Sequence, residues 1–138
     1  MKQTLDMRLI RYLNLFERVM GVRSKNCFFY NNYVVFAVPS SLVSKAIGEK
    51  GKNVKKLIPL LGKKIKIVSL PKNIEDAERF ISEIVEPVQF KNLEVTQKEI
   101  IITAGKQSKA ALIGRNKIRF KELKKVVNEF FGKDLKII

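Results

Sequence analysis

Sliding this chain of 138 residues against itself uncovers an internal repeat, and that repeat limits the folds open to it more than any other feature. At an offset of 66, Val34-Val35-Phe36-Ala37-Val38 falls on Ile100-Ile101-Ile102-Thr103-Ala104, Ala46-Ile47-Gly48 falls on Leu112-Ile113-Gly114, and Leu57 falls on Leu123 without a gap. Matches this short gain weight because the local structural signals around them recur in the same order.

In the first copy, Leu5, Leu9, Leu13, Phe16 and Met20 recur at spacings of three and four, which predicts an amphipathic helix over residues 4–20 ended near Gly21. Cys27 to Tyr30 and Tyr33 to Val38 are rich in aromatic and β-branched residues and read as strands, joined at Asn31-Asn32, which tolerates positive φ in a tight hairpin. Ser40 to Ile47 reads as a short helix that Ser40 or Ser41 can cap. After a break at Gly48 to Gly51, a second helix runs from Lys52 to about Leu61, with Pro59 expected to kink or shorten it before Gly62. Lys64-Ile65-Lys66-Ile67-Val68 alternates as a strand with one solvated face.

The second copy repeats this order. Asn73 caps a helix through Val85 that Pro87 stops, and Val88 to Val95 with Glu99 to Thr103 form a hairpin around Gln97-Lys98. Lys106 to Ile113, a break at Gly114, Ile118 to Phe131, the stop at Gly132 and a strand over Leu135 to Ile138 complete it. Leu70-Pro71-Lys72 is the sensible boundary, so the expected fold is α+β in two domains, 1–70 and 71–138. Each is helix-strand-strand-helix-helix-strand, with helices packed on a three-stranded sheet.

Composition removes several kinds of chemistry. With no His and one Cys there is no Ser-His-Asp or Cys-His couple, no Cys/His zinc site and no internal disulfide. No metal and no cofactor is expected. A lone cysteine fits a reducing compartment, no apolar run approaches the length that spans a bilayer, and Met1-Lys2-Gln3-Thr4 does not open a signal peptide. A cytoplasmic, monomeric, soluble protein is expected.

The 28 Lys and Arg against 13 Asp and Glu leave a net charge of +15, which points to a polyanionic partner. Enrichment of a thermophile surface predicts Lys and Glu rising together, and here Lys dominates. The charge is patterned: Lys45 to Lys66 holds 8 Lys and one Glu, and Lys106 to Lys125 holds 8 Lys or Arg and one Glu. An anionic membrane is the other partner of such charge, and the N-terminal helix with Arg8, Arg11 and Arg18 is the one candidate for binding it.

The sharpest local feature is the loop Gly48-Glu49-Lys50-Gly51 between two helices. Its glycines permit backbone angles closed to other residues and take away side chains that hold a ligand off. Gly51 opens the next helix, whose unpaired N–H groups and dipole attract anions, while Lys50 and Lys52, with Lys45 and Lys55 nearby, add charge for a phosphate backbone to neutralise. Glu49 is expected to point to solvent. A bare pair of glycines three apart suggests a simple helical corner; lysines within and after it favour phosphate binding.

The segment from Val43 to Val54, with Ile47-Gly48-Glu49-Lys50-Gly51-Lys52-Asn53-Val54 at its centre, resembles the IGxxGxxI signature of the K-homology (KH) RNA-binding family. A leading helix and trailing strand are similar to the type II arrangement, and the resemblance covers nearly the whole chain as two tandem copies. A stand-alone pair of this kind is similar to the archaeal NusA-like family of transcription termination and antitermination factors. The resemblance implies that Gly48 to Gly51 faces a nucleic-acid backbone, with bases in a groove between the loop-flanking helices and the sheet edge. Lys45, Ile47, Gly48, Glu49, Lys50, Gly51, Lys52, Val54 and Lys55 are the candidate RNA-binding residues of the first copy.

The second copy departs from the signature, because Lys117 stands where the closing glycine belongs. Gly114, Arg115, Asn116, Lys117 and Arg119 keep that loop cationic, and two readings stay open: it binds RNA with altered geometry, or it supports the first loop electrostatically. Tyr30 and Tyr33, flanking the hairpin turn, are the stacking candidates, whereas most of the aromatic cluster Phe28, Phe29, Tyr30, Tyr33 is expected in the core. Gly105-Lys106-Gln107-Ser108 fails the spacing of a P-loop. Glu75, Asp76 and Glu78 are accounted for by the dipole of the helix they open, and Cys27 by burial. No convergent carboxylates or nucleophile-base pair suggests an enzyme. The expected function is single-stranded RNA binding; action with RNA polymerase or other transcription factors in termination or antitermination is implied by the resemblance alone. Ribosome assembly or RNA processing is the alternative.

Overall fold

The structure, a computed structural model, describes residues 6–138, which divide into two compact units, 6–70 and 71–138. The first contains α1 (Met7–Met20), β1 (Asn26–Tyr30), β2 (Tyr33–Val38), α2 (Val43–Ile47), α3 (Lys52–Leu61) and β3 (Lys64–Ser69). The second contains α4 (Ala77–Val85), β4 (Asn92–Val95), β5 (Glu99–Thr103), α5 (Lys106–Ile113), α6 (Ile118–Phe131) and β6 (Asp134–Ile137). The chain is therefore α+β, with two three-stranded sheets ordered β1-β2-β3 and β4-β5-β6. In each, the first pair is antiparallel and the second parallel. A hairpin suffices for the antiparallel pair; the parallel one needs a crossover, which α2 with α3, and α5 with α6, supply.

The repeat seen in sequence is carried into strand register. Phe36 faces Cys27 and Ile67, and Ile102 faces Leu93 and Ile137. The offset of the last strand has grown by four, because α6 has 14 residues where α3 has 10. That adds one helical turn without rotating the buried face.

In the first unit α1 packs on α3, and Tyr12, Phe16, Val34, Phe36, Ala46, Leu57 and Leu61 form the core. Phe16 and Phe36 stack with ring centroids 4.3 Å apart. In the second, Phe80, Ile100, Ile102, Leu112, Leu123, Val127 and Leu135 are buried, and Phe80 meets Phe130 at 4.8 Å.

Several boundaries differ from the sequence expectation. α1 starts at Met7, with Asp6 as its extended N-cap accepting the Arg8 backbone N–H; Thr4 and Leu5 of the expected helix lie outside the described residues. Neither Ser40 nor Ser41 caps a helix: the chain tightens into a 3-10 turn over Ser40–Leu42 behind Pro39, which moves the hydroxyls off the cap position. Pro59 does not shorten α3, which runs to Leu61 and closes with Gly62 N–H on the Ile58 carbonyl. β3 alternates as expected at its start, with Ile65 and Ile67 packed against the core and Lys64 exposed, but its other face is covered further on, where Lys66 is half-buried and Val68 is buried beside its register partner Ala37. β4 begins at Asn92 and not at Val88, because its partner β5 ends at Thr103: the Lys91 N–H still reaches the Thr103 carbonyl at 2.8 Å, and residues 88–90 have no β5 residue opposite them. Asn73 caps a 3-10 turn over Ile74–Asp76 that leads into α4.

Candidate nucleic-acid interface

Both loops have one backbone shape. Gly48 sits at φ 80°, ψ 168° and Gly114 at φ 74°, ψ 172°. Lys50 and Asn116 follow at φ 54° and 57°, and Gly51 and Lys117 close in the left-handed region at φ 72°, ψ 20° and φ 60°, ψ 24°. The altered backbone geometry that one of the two readings of the second loop supposes is absent: Lys117 takes up the angles of the glycine it replaces.

The reason lies in which region each glycine occupies. The angles of Gly48 and Gly114 combine positive φ with extended ψ, a region open essentially to glycine alone. Space is also closed there, since a Cβ on Gly48 would lie 2.9 Å from Asn53 Cγ and one on Gly114 would lie 3.0 Å from Arg119 Cγ. Gly51 lies in the left-handed helical region, which other residues reach at a cost of about 1–2 kcal/mol, and a Cβ there meets nothing within 4 Å. The repeat has kept the glycine that nothing can replace.

Each loop is bridged by a hydrogen bond that the sequence did not announce. Asn53 Nδ2 donates to the Lys45 carbonyl at 3.2 Å, and Arg119 Nη1 donates to the Ala111 carbonyl at 3.2 Å. Asn53 and Arg119 are repeat equivalents, as are Lys45 and Ala111. Asn53 was absent from the candidate residues; a polar donor at the same repeat position in both copies was its available signal.

The remaining candidates of the first copy gather around its loop. Lys45, Glu49, Lys50, Lys52 and Lys55 are exposed, and Ile47, Gly48 and Gly51 are half-buried. Val54 turns inward and packs against the core, so it supports the loop from behind. Around the second loop Arg115, Asn116 and Lys117 are exposed, while Gly114 and Arg119 are half-buried. Ile118 replaces Lys52 and is 54% exposed, so the second helix opens with an apolar side chain where the first opens with a cation.

The aromatic candidates separate. Tyr30 is buried, 4% exposed, which removes it as a stacking surface; along β1 it alternates with Cys27 and Phe29, which pack on the core, and shares the other face of the sheet with its register partner Tyr33. Tyr33 is half-buried, with Lys64 Nζ 5.7 Å and Lys66 Nζ 5.0 Å from its ring centroid. Phe29 lies beneath Arg8, whose Cζ is 4.6 Å from the ring centroid. Both arrangements place cations over aromatic faces.

Cys27 is buried, and desolvation pushes its thiol up to about 12, so it stays protonated and inert at neutral pH. Asp76 accepts the Lys72 backbone N–H at 2.8 Å and pairs with Arg79, which ties it to the start of α4. Among the described residues no group of three or more His, Cys, Asp or Glu is placed to hold a metal ion, and no helix is long and apolar enough to cross a membrane. A cleft of about 500 Å³ lined by Arg79, Pro87 and Phe90 shares no residue with either loop.

No family model matches the sequence. The chain is similar to the "Probable transcription termination protein NusA" of Halococcus morrhuae, 29% identical over 119 residues that make up 84% of each chain. Proteins of the same name from Methanococcus vannielii and Methanocaldococcus jannaschii are 30% identical over 93 residues and 32% identical over 81. Those matches span 67% and 59% of this chain but only 52% and 43% of the two relatives, about half their length. Among solved structures, "Crystal structure of APE1850" covers 97% of this chain with all of its own, at a TM-score of 0.68 and 26% identity.

Proposed function

We propose that this chain is an archaeal NusA-like transcription termination protein, built from two tandem type II KH domains at residues 1–70 and 71–138, that binds single-stranded RNA. The observation that carries the proposal is the Gly48-Glu49-Lys50-Gly51 loop, held in glycine-dependent angles at the start of α3 and surrounded by exposed Lys45, Lys50, Lys52 and Lys55. A phosphate backbone can approach such a loop closely and meet cations there. The three relatives named for transcription termination favour a nascent transcript as the ligand and RNA polymerase as the partner. The protein works as a non-catalytic, cytoplasmic monomer, and it carries out no step that needs a metal or cofactor.

Binding is selective for single strands, because unstacked bases can enter a groove beside the loop, whereas an A-form duplex buries its base edges in a deep, narrow major groove. The test is fluorescence anisotropy with one RNA sequence, presented single-stranded and as a duplex, at physiological salt. The double variant Glu49→Asp with Lys50→Asp should bind roughly tenfold or more weakly, a loss of about 1.4 kcal/mol. The matched Arg115→Asp with Asn116→Asp removes more charge yet should lose less, because the Lys117 side chain projects where Gly51 leaves open space. Equal affinity for duplex and single strand would refute the proposal, and a greater loss in the second-loop variant would refute the preference for the first loop.

A further inference from the structure

At the C-terminal end of α2 the helical ladder stops with Gly48 N–H on the Ser44 carbonyl, and α5 stops with Gly114 N–H on the Ala110 carbonyl. The next carbonyls, those of Lys45 and Ala111, have lost their helical donors because the chain turns away at the glycine. They are the two carbonyls that Asn53 and Arg119 reach, both at 3.2 Å. A carboxamide in one copy and a guanidinium in the other make the same bond across the same loop. Both side chains also fill the space that a Cβ on the opening glycine would need.

We infer that Asn53 and Arg119 are positioning residues that clasp the entry of each loop to its exit and hold the RNA-facing backbone in its bound shape. The inference rests on the RNA-binding proposal for its consequence, and on the loop geometry for its substance. Each loop holds two consecutive left-handed residues, Lys50 with Gly51 and Asn116 with Lys117, an arrangement that an unsupported loop leaves readily. A loop that is not held pays its ordering entropy when RNA binds, and affinity falls. Arg119 is thereby reassigned: its guanidinium, half-buried and bonded to Ala111, acts on RNA through the loop and not as a phosphate contact.

The experiment uses the full chain and two readouts, amide hydrogen exchange of the free protein and single-stranded RNA affinity as a function of salt. Asn53→Leu keeps the side chain's bulk and removes the donor. It should speed exchange of the Gly48 and Gly51 amides, which bond the Ser44 and Gly48 carbonyls, and weaken RNA binding roughly tenfold, with the salt slope unchanged because no phosphate contact is lost. Asn53→Arg, which installs the second copy's clasp in the first, should restore both. Arg119→Asn makes the reciprocal exchange and should leave affinity and slope near those of the parent. If Arg119→Asn lowers the slope by roughly 0.7, Arg119 contacts a phosphate and the assignment is overturned. Unchanged loop exchange in Asn53→Leu overturns it as well, and so does failure of Asn53→Arg to rescue. Should Asn53→Leu fail to fold, the two exchanges of clasp still decide the matter. Failure of the parent protein to bind single-stranded RNA counts against the proposed function instead, and the exchange measurement on free protein then judges the clasp by itself.

Discussion

A side chain on Gly48 has to share space with Asn53 and also hold positive φ with extended ψ, whereas one on Gly51 meets open space at angles that Lys117 already adopts in the second copy. Strain of about 1–3 kcal/mol attends the first conformation even before the clash is counted. For the second, the left-handed cost of about 1–2 kcal/mol is partly offset by the reduced freedom of the unfolded chain, worth about 0.4–1 kcal/mol. Gly48→Ala should therefore lose about 2–3 kcal/mol and Gly51→Ala no more than about 1 kcal/mol, as read from urea unfolding with unchanged m-values. Equal losses would show that the two glycines do the same structural job. The sequence marked both glycines alike, because spacing identifies a loop but does not report which dihedral region each position occupies. Tyr30 and Tyr33 illustrate the same limit, since two tyrosines flanking one turn looked equivalent and only the packing separated the buried ring from the half-exposed one.

Elements were legible wherever their signals are local. Helices α5 and α6 and strands β2 and β5 occupy their expected spans, because the helices end at glycines and the strands are β-branched, apolar runs that begin at a hairpin turn. α3 also keeps its expected span to Leu61, and only the shortening expected from Pro59 does not occur. The missing N–H leaves only the Lys55 carbonyl without its helical bond, while inward Val54, Leu57 and Leu61 anchor the helix against the core. The start of α1 depends on Asp6, whose carboxylate accepts Arg8 N–H at 2.9 Å and pairs with its guanidinium at 3.0 Å. The side-chain bond from Arg8, followed by the backbone bond, holds this carboxyl below the usual carboxylate range. A depressed folded pKa means that the contribution is fully present above the unfolded value, about 3.9, and is lost as pH falls through the folded one. Asp6→Ala should lower the Tm at pH 7, and the gap from the parent should shrink steadily as pH drops below about 4. A gap of constant size down to pH 2, measured by circular dichroism melts, would show that the charge of Asp6 contributes nothing.

For the molecule as a whole, the net charge of +15 serves RNA only if enough of it lies where phosphates run. If exposed Lys45, Lys50, Lys52 and Lys55 each neutralise one phosphate, the slope of log affinity against log salt should be roughly −3, at about 0.7 per contact. A flat response would mean that the charge is directed elsewhere. By itself the sequence determined that there are two copies of one α+β element order, that a cationic loop opened by a glycine joins two helices in each, and that no Ser-His-Asp or Cys-His couple can form. Those properties depend on periodicity, turn residues and composition, which are local and survive without coordinates. The tertiary structure decided that the second loop keeps the first loop's shape despite Lys117, that Asn53 and Arg119 bind back across the loops, and that β4 is short. Each of these depends on groups that are not chain neighbours meeting in space: a carbonyl reached by a side chain eight residues on, or a strand whose length is set by its partner. Such meetings follow from how the chain turns and packs, and neither periodicity nor composition reports them.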